Sequence, residues 1–217
     1  FNNWELELQY QFKEIESNKA YSVVRMMDYI YKKKAEVNNK KYYCSKGIHT
    51  FNYIDQIRSE APSVKFIHLV RDPRDHVASW MKRPINLYSS YDAILKWTKE
   101  QRLLIDAKNT KGLDCITIRY EDLTNNTVAV MDKLMTYLDL RIDKACYNTN
   151  PENIESIRHV YWKNISKPIM STNTNKFKKE LCQQDLQIIE TIAKDEMLEF
   201  GYKPVSKKDF SLSRKTK

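Results

Sequence analysis

The sequence predicts an α/β protein in which a parallel β-sheet is flanked by helices. The short run "VKFIHLV" at 64–70 is apolar enough to be a strand buried on both faces, as central parallel strands are, and "LDCITIRY" at 113–120 reads as a second buried strand. Around them lie longer stretches with apolar residues at helical spacing. Only three glycines (Gly47, Gly112, Gly201) occur in 217 residues, too few for a sandwich or barrel with many tight turns.

In chain order, "NWELELQYQFKEIES" at 3–17 and "AYSVVRMMDYIYKKKAEV" at 20–37 are expected to be helices. "KKYYCSK" at 40–46 is a short β-prone run. "TFNYIDQIRSEA" at 50–61 follows as a helix, with Thr50 as N-cap and Phe51, Ile54 and Ile57 on one side. After the first strand, "PRDHVASWMKR" at 73–83 and "SSYDAILKWTKEQRLLIDAKN" at 89–109 read as helices. Beyond the second strand, "TVAVMDKLMTYLDL" at 127–140 carries a stripe of Val128, Met131, Leu134, Met135 and Leu138. The last helix, "CQQDLQIIETIAKDEMLEF" at 182–200, ends at Gly201 as C-cap, with Pro204 beyond.

Hydrophobic residues at 41% and aromatics at 12% suffice for a real core. No linker divides the chain, so residues 1–205 are expected to form one domain and 206–217, "SKKDFSLSRKTK" from Ser206 on, a basic tail. The net charge of +9 suits an anionic partner, or equally a basic surface with no particular partner. Four widely spaced cysteines without a CxxC give no reason to expect a metal site or a disulfide framework. No apolar run reaches the ~18 residues of a membrane span, and no RNP-like, zinc-finger or helix-turn-helix signature supports a nucleic-acid partner.

The informative stretch is the junction "KFIHLVRDPRDHVASW" at 65–80. Asp72 is a good N-cap, Pro73 suits the first helical position, and Asp75 stands where a capping acid reaches back. A helix therefore starts where the strand ends, at the carboxyl edge of the sheet where ligands of α/β proteins bind. Its free N–H groups and the Arg71 guanidinium would face the same opening, and Arg presents paired donors to phosphate oxygens. Ser79, two turns on, returns to roughly the same face. On the residues alone a second reading stays open: a turn in which Arg71 pairs with its own aspartate. At the end of the second strand Tyr120 comes to the same edge, and Glu121 and Asp122 read as capping acids of the next helix. His68, inside the apolar strand, reads as core.

"FIHLVRDPRDHVAS" resembles the 3′-phosphate-binding segment of the sulfotransferases that use 3′-phosphoadenosine-5′-phosphosulfate (PAPS), the carbohydrate and tyrosyl-protein branches above all. The likeness continues in order over residues 41–204: "CSKGIHTFNYIDQIRSEAPSVKF", "KWTKEQRLLI", "ITIRYEDLTNNTVAVMDKLMTYLDL" and "YWKNISKPIMSTNTNKFKKEL…MLEFGY". It implies a P-loop-NTPase-like fold and transfer of a sulfuryl group from PAPS to a hydroxyl acceptor, a carbohydrate before a tyrosine or a small molecule, with no metal. It implies that Arg71 and Ser79 hold the 3′-phosphate, that Tyr120 stands near the adenine, and that Lys176 belongs to a basic loop folded over the nucleotide. Lys46 aligns with the family's lysine at the leaving group, and His49, three residues on, is the candidate base, although "KGIH" departs from the pattern of either branch. For Tyr120 a strand-end packing role, for Lys176 an exposed lysine, and for His49 a helix-start histidine stay open.

The family also carries an earlier strand–loop–helix that cradles the 5′-phosphosulfate, whereas residues 1–40 contain no glycine. The expectation is a chain incomplete at its N-terminus, either the C-terminal part of a longer enzyme or a divergent protein without the loop, binding PAPS poorly by itself. The competing function is a non-catalytic module of the same fold that binds nucleotides or acidic glycans. A bacterial-type protein would be cytoplasmic and a eukaryotic-type one would sit in the Golgi lumen.

Overall fold

Ser22 opens the first described helix, α1 (Val23–Val37), its hydroxyl accepting the Arg25 N–H at 3.2 Å. The computed structural model describes residues 22–47, 50–82, 89–148 and 169–206; the helix expected at 3–17 lies outside them. Two compact units emerge, residues 1–64 and 65–217. In the first, no residue of α1 is buried, and Lys32–Asp28 and Lys33–Glu36 pairs line its surface. The β-prone run at 40–46 forms no strand. Side chains hold it instead: Tyr43 stacks on Tyr31 at 5.2 Å and donates its hydroxyl to Asp28 at 2.6 Å.

The helix expected at 50–61 is split into a 3-10 turn, Thr50–Tyr53, and α2 (Ile54–Glu60). Thr50 is not its N-cap, because its hydroxyl donates back to the Gly47 carbonyl at 3.1 Å. Ile54 is buried in this unit.

In the second unit, β1 (Phe66–Val70) and β2 (Cys115–Arg119) pair in parallel, Phe66 opposite Cys115 and Val70 opposite Arg119. Between them run α3 (Pro73–Met81) and α4 (Ser90–Lys111). Ser89 and Asp92 form a capping box at the start of α4, and Gly112 ends it in the left-handed region at φ 57°. After β2 come α5 (Tyr120–Asn125) and α6 (Thr127–Tyr137). A 3-10 turn at Ser171–Asn173 leads to α7 (Phe177–Glu180), α8 (Gln183–Ile192) and α9 (Lys194–Glu199). The single helix expected at 182–200 is thus two, joined at Ala193. Gly201, at φ 75°, closes the second, with Tyr202 N–H returning to the Met197 carbonyl at 2.7 Å.

The core lies on one side of the sheet. Val70, Val77, Ile94, Trp97, Ile189 and Met197 meet there, so α3, α4, α8 and α9 share it. His68 points into the same layer, 4% exposed, and its Nε2–H donates to Gln101 Oε1 at 2.9 Å. Desolvation lowers its pKa to about 4. On the other side α6 packs against β2, and Ile116 and Ile118 are buried, but Ile67 and Leu69 of β1 are 40% and 55% exposed. The expectation of two buried faces therefore fails for β1, while β2 buries Ile116 and Ile118 on one face and keeps Cys115, Thr117 and Arg119 half-buried on the other. An apolar run alone does not show how far each face is covered. Val128, expected in the apolar stripe of α6, is likewise exposed, while Met135 is buried.

Candidate functional site

The β1–α3 junction is built as its residues dictate at the cap. Asp72 Oδ1 accepts the Arg74 N–H at 2.9 Å and Pro73 occupies the first turn. The two arginines of "RDPRD" then take different roles. Arg74, 4% exposed, pairs with Asp72 at 2.6 Å and with Glu190 of α8 at 2.7 Å, and its guanidinium lies 4.2 Å from the Phe177 ring centre. Burial alone would lower its pKa; the two carboxylates outweigh that and raise it. Glu190 also accepts the N–H groups of Val205 and Ser206, which tie the chain beyond α9 to the same point.

Arg71 keeps only a loose pair with its own aspartate: its Nη2 lies 3.9 Å from Asp75 Oδ2, within ion-pair range but beyond hydrogen-bonding distance. Its guanidinium stacks 4.8 Å over the Tyr120 ring and donates through Nη2 to the Asn173 carbonyl at 2.6 Å. Asn173 Nδ2 in turn donates to the Tyr120 hydroxyl at 3.1 Å. Among the described residues Arg71 Nε is buried with no hydrogen-bond partner. A buried guanidinium N–H without an acceptor is unfavourable, and an anion oxygen is the natural acceptor.

The sequence-predicted residues divide accordingly. Arg71 and Tyr120 are brought together. Ser79 is exposed on α3, and no hydrogen bond joins it to Arg71. Lys176 is exposed immediately before α7, its neighbours Asn175 and Phe177 both held by Asp75. Lys46 is exposed in the irregular segment of the first unit, and His49 lies outside the described residues.

Two acids depart from the expected capping role. Asp75 does not reach back along α3; it is 2% exposed and accepts the Asn175 N–H at 2.7 Å and the Phe177 N–H at 2.9 Å. Glu121 accepts the Asp72 N–H at 3.0 Å and the Tyr202 hydroxyl at 2.7 Å, joining the two strand ends. Asn173 was not singled out in the sequence. Its setting in "STNTN", beside the predicted Lys176, was the available signal, but its partners are remote in the chain. A cleft of about 370 Å³ opens beside these groups, lined by Arg119, Glu121, Asp122, Asn175 and Lys203 among others. Its walls carry both signs of charge.

Comparison with known proteins gives this arrangement its class. The model of the sulfotransferase family matches residues 3–144, and the chain belongs to that family. Among its relatives, a Caenorhabditis elegans protein named "Putative protein-tyrosine sulfotransferase" is 30% identical over 102 residues, covering 45% of this chain and 39% of that one. A Caenorhabditis briggsae protein of the same name is 29% identical over 104 residues, covering 45% and 37%. The matches thus span well under half the length of these curated relatives. Among solved structures, the sulfotransferase domain from the curacin biosynthetic pathway superposes with a TM-score of 0.68 at 14% identity, over 91% of this chain and 74% of that one. That likeness establishes the fold, the P-loop-like α/β architecture expected from the sequence.

Proposed function

We propose that the chain is the part of a PAPS-dependent sulfotransferase that holds the 3′-phosphate of the donor, and that the enzyme sulfates a hydroxyl group. The observation that carries the reading is Arg71: it stands at the carboxyl end of β1, stacked on Tyr120, with an unsatisfied buried Nε–H and only a long 3.9 Å pair with Asp75. Arg74 takes up Asp72 and Glu190, so neither competes for Arg71. A doubly charged phosphate meets both needs at once.

In the reaction, an acceptor oxygen attacks sulfur, the bond from sulfur to the bridging phosphate oxygen breaks, and the acceptor proton passes to a base. Sulfate ester and adenosine 3′,5′-bisphosphate leave. Positioning and cationic stabilisation supply most of the rate in such transfers. On the family resemblance, Lys46 is assigned to the charge developing on the leaving group and His49 to the proton. For the acceptor, the names of the two nematode relatives favour a protein tyrosine over the carbohydrate expected from sequence.

Titration calorimetry tests the donor reading. Adenosine 3′,5′-bisphosphate should bind more tightly than adenosine 5′-monophosphate, and Arg71→Ala should erase that difference while leaving the melting temperature within a few degrees. Equal affinity for the two nucleotides in the wild type would refute it. Sulfate transfer to a tyrosine-containing peptide, set against a glycosaminoglycan, tests the acceptor.

A further inference from the structure

The segment from Ser171 to Phe177 is fastened to the Arg71 site at four points. Arg71 Nη2 and the Tyr120 hydroxyl hold Asn173 through its carbonyl and its side-chain amide. Further along, Asp75 accepts both the Asn175 and Phe177 N–H groups, one on each carboxylate oxygen. This double bond set needs Asn175 in the left-handed region, at φ 57°, a conformation that Asn tolerates better than most residues. The anchorage is costly. A carboxylate buried to 2% exposure, 3.9 Å from Arg71, opposes the binding of any anion there. Burial pushes the Asp75 carboxyl above its ordinary range, even though the Phe177 N–H and the Arg71 charge draw it back. Asp75 is not needed to start α3 either, since Asp72 already caps that helix.

We infer that Asp75 is a positioning residue for the anion site: it fixes the 171–177 strap so that Asn173 orients Arg71, and its contribution through that order exceeds its electrostatic opposition to the anion. The inference rests on the phosphate reading of Arg71.

The two effects of Asp75 have opposite signs, and Asp75→Asn separates them. The substitution removes the negative charge and keeps the size, but an amide can accept only one of the two N–H groups well. If Asp75 acted only through charge, the variant would bind adenosine 3′,5′-bisphosphate more tightly. If it positions the strap, affinity falls by roughly tenfold, the worth of one charge-assisted hydrogen bond, and the preference over adenosine 5′-monophosphate shrinks with it. Unchanged or tighter binding overturns the inference. Hydrogen exchange on the wild type gives a second measure that does not require the variant to fold. Saturating bisphosphate should slow exchange at the Asn175 and Phe177 amides, and unchanged protection there likewise overturns it. A wild type that ignores the 3′-phosphate fails both readings. One that binds it through Arg71 while Asp75→Asn binds as well fails only this one.

Discussion

Among single residues, His68 links the core to pH. Its side chain is neutral because burial lowers its pKa to about 4 from the 6.5 of an exposed imidazole, and the Lys108 charge acts in the same direction. The unfolded chain therefore binds more protons than the native one between these values, so stability falls as pH drops through that window. The full effect amounts to about 3 kcal/mol. Melting curves between pH 6.5 and 4.5 should show this loss, and His68→Gln should flatten it; an unchanged slope would place the sensitivity elsewhere. The identity of His68 as a core residue was legible because an apolar strand surrounds it. Asp75 was misread for the converse reason. Cap chemistry is local and visible in three or four letters, whereas its actual partners lie 100 and 102 positions away.

At the level of elements, one buried cation holds α3, α8 and the chain beyond α9 together. Arg74 bonds Asp72 at its own helix start, Glu190 on α8, and the Lys203 carbonyl at 3.1 Å. Replacing it with Met would leave two buried carboxylates without their counter-charge, at a cost of about 3–5 kcal/mol. Urea unfolding of Arg74→Met should show that loss, whereas Arg71→Ala, which deserts only the long 3.9 Å pair with Asp75, should cost clearly less. Equal losses for the two would contradict the division of labour drawn here. The place of Arg71 at the strand end and the family resemblance pointed to it as the anion ligand, but no local pattern showed that Arg74 would be used up internally. Glu190, which decides the matter, is 116 residues from Arg74. The strands and most helices were read correctly from periodicity and caps. The β-prone run at 40–46 was not, because strand formation needs a partner that propensity cannot supply.

At the scale of the whole molecule, nearly all buried apolar residues among those described belong to the unit from Lys65 onward, and Ile54 is the exception among them. A fragment of residues 65–217 should therefore keep a cooperative thermal transition by circular dichroism, with a melting temperature the full chain exceeds only modestly. A fragment that melts without a transition would show that the first unit is needed to complete the core. The family could be read from motifs that lie on both sides of this boundary, because each motif is short and keeps its order.

Among the described residues, β1 pairs with β2 alone, and Ile67 and Leu69 stand in the open on one of its faces. Exposed aliphatics along a strand favour contact with another strand, so Ile67 and Leu69 of "FIHLV" are where chains would stack on one another when concentrated. The charge of +9 works against such stacking, and salt weakens that protection. Ile67→Lys should therefore raise the concentration at which light scattering begins in high salt, with little change in melting temperature.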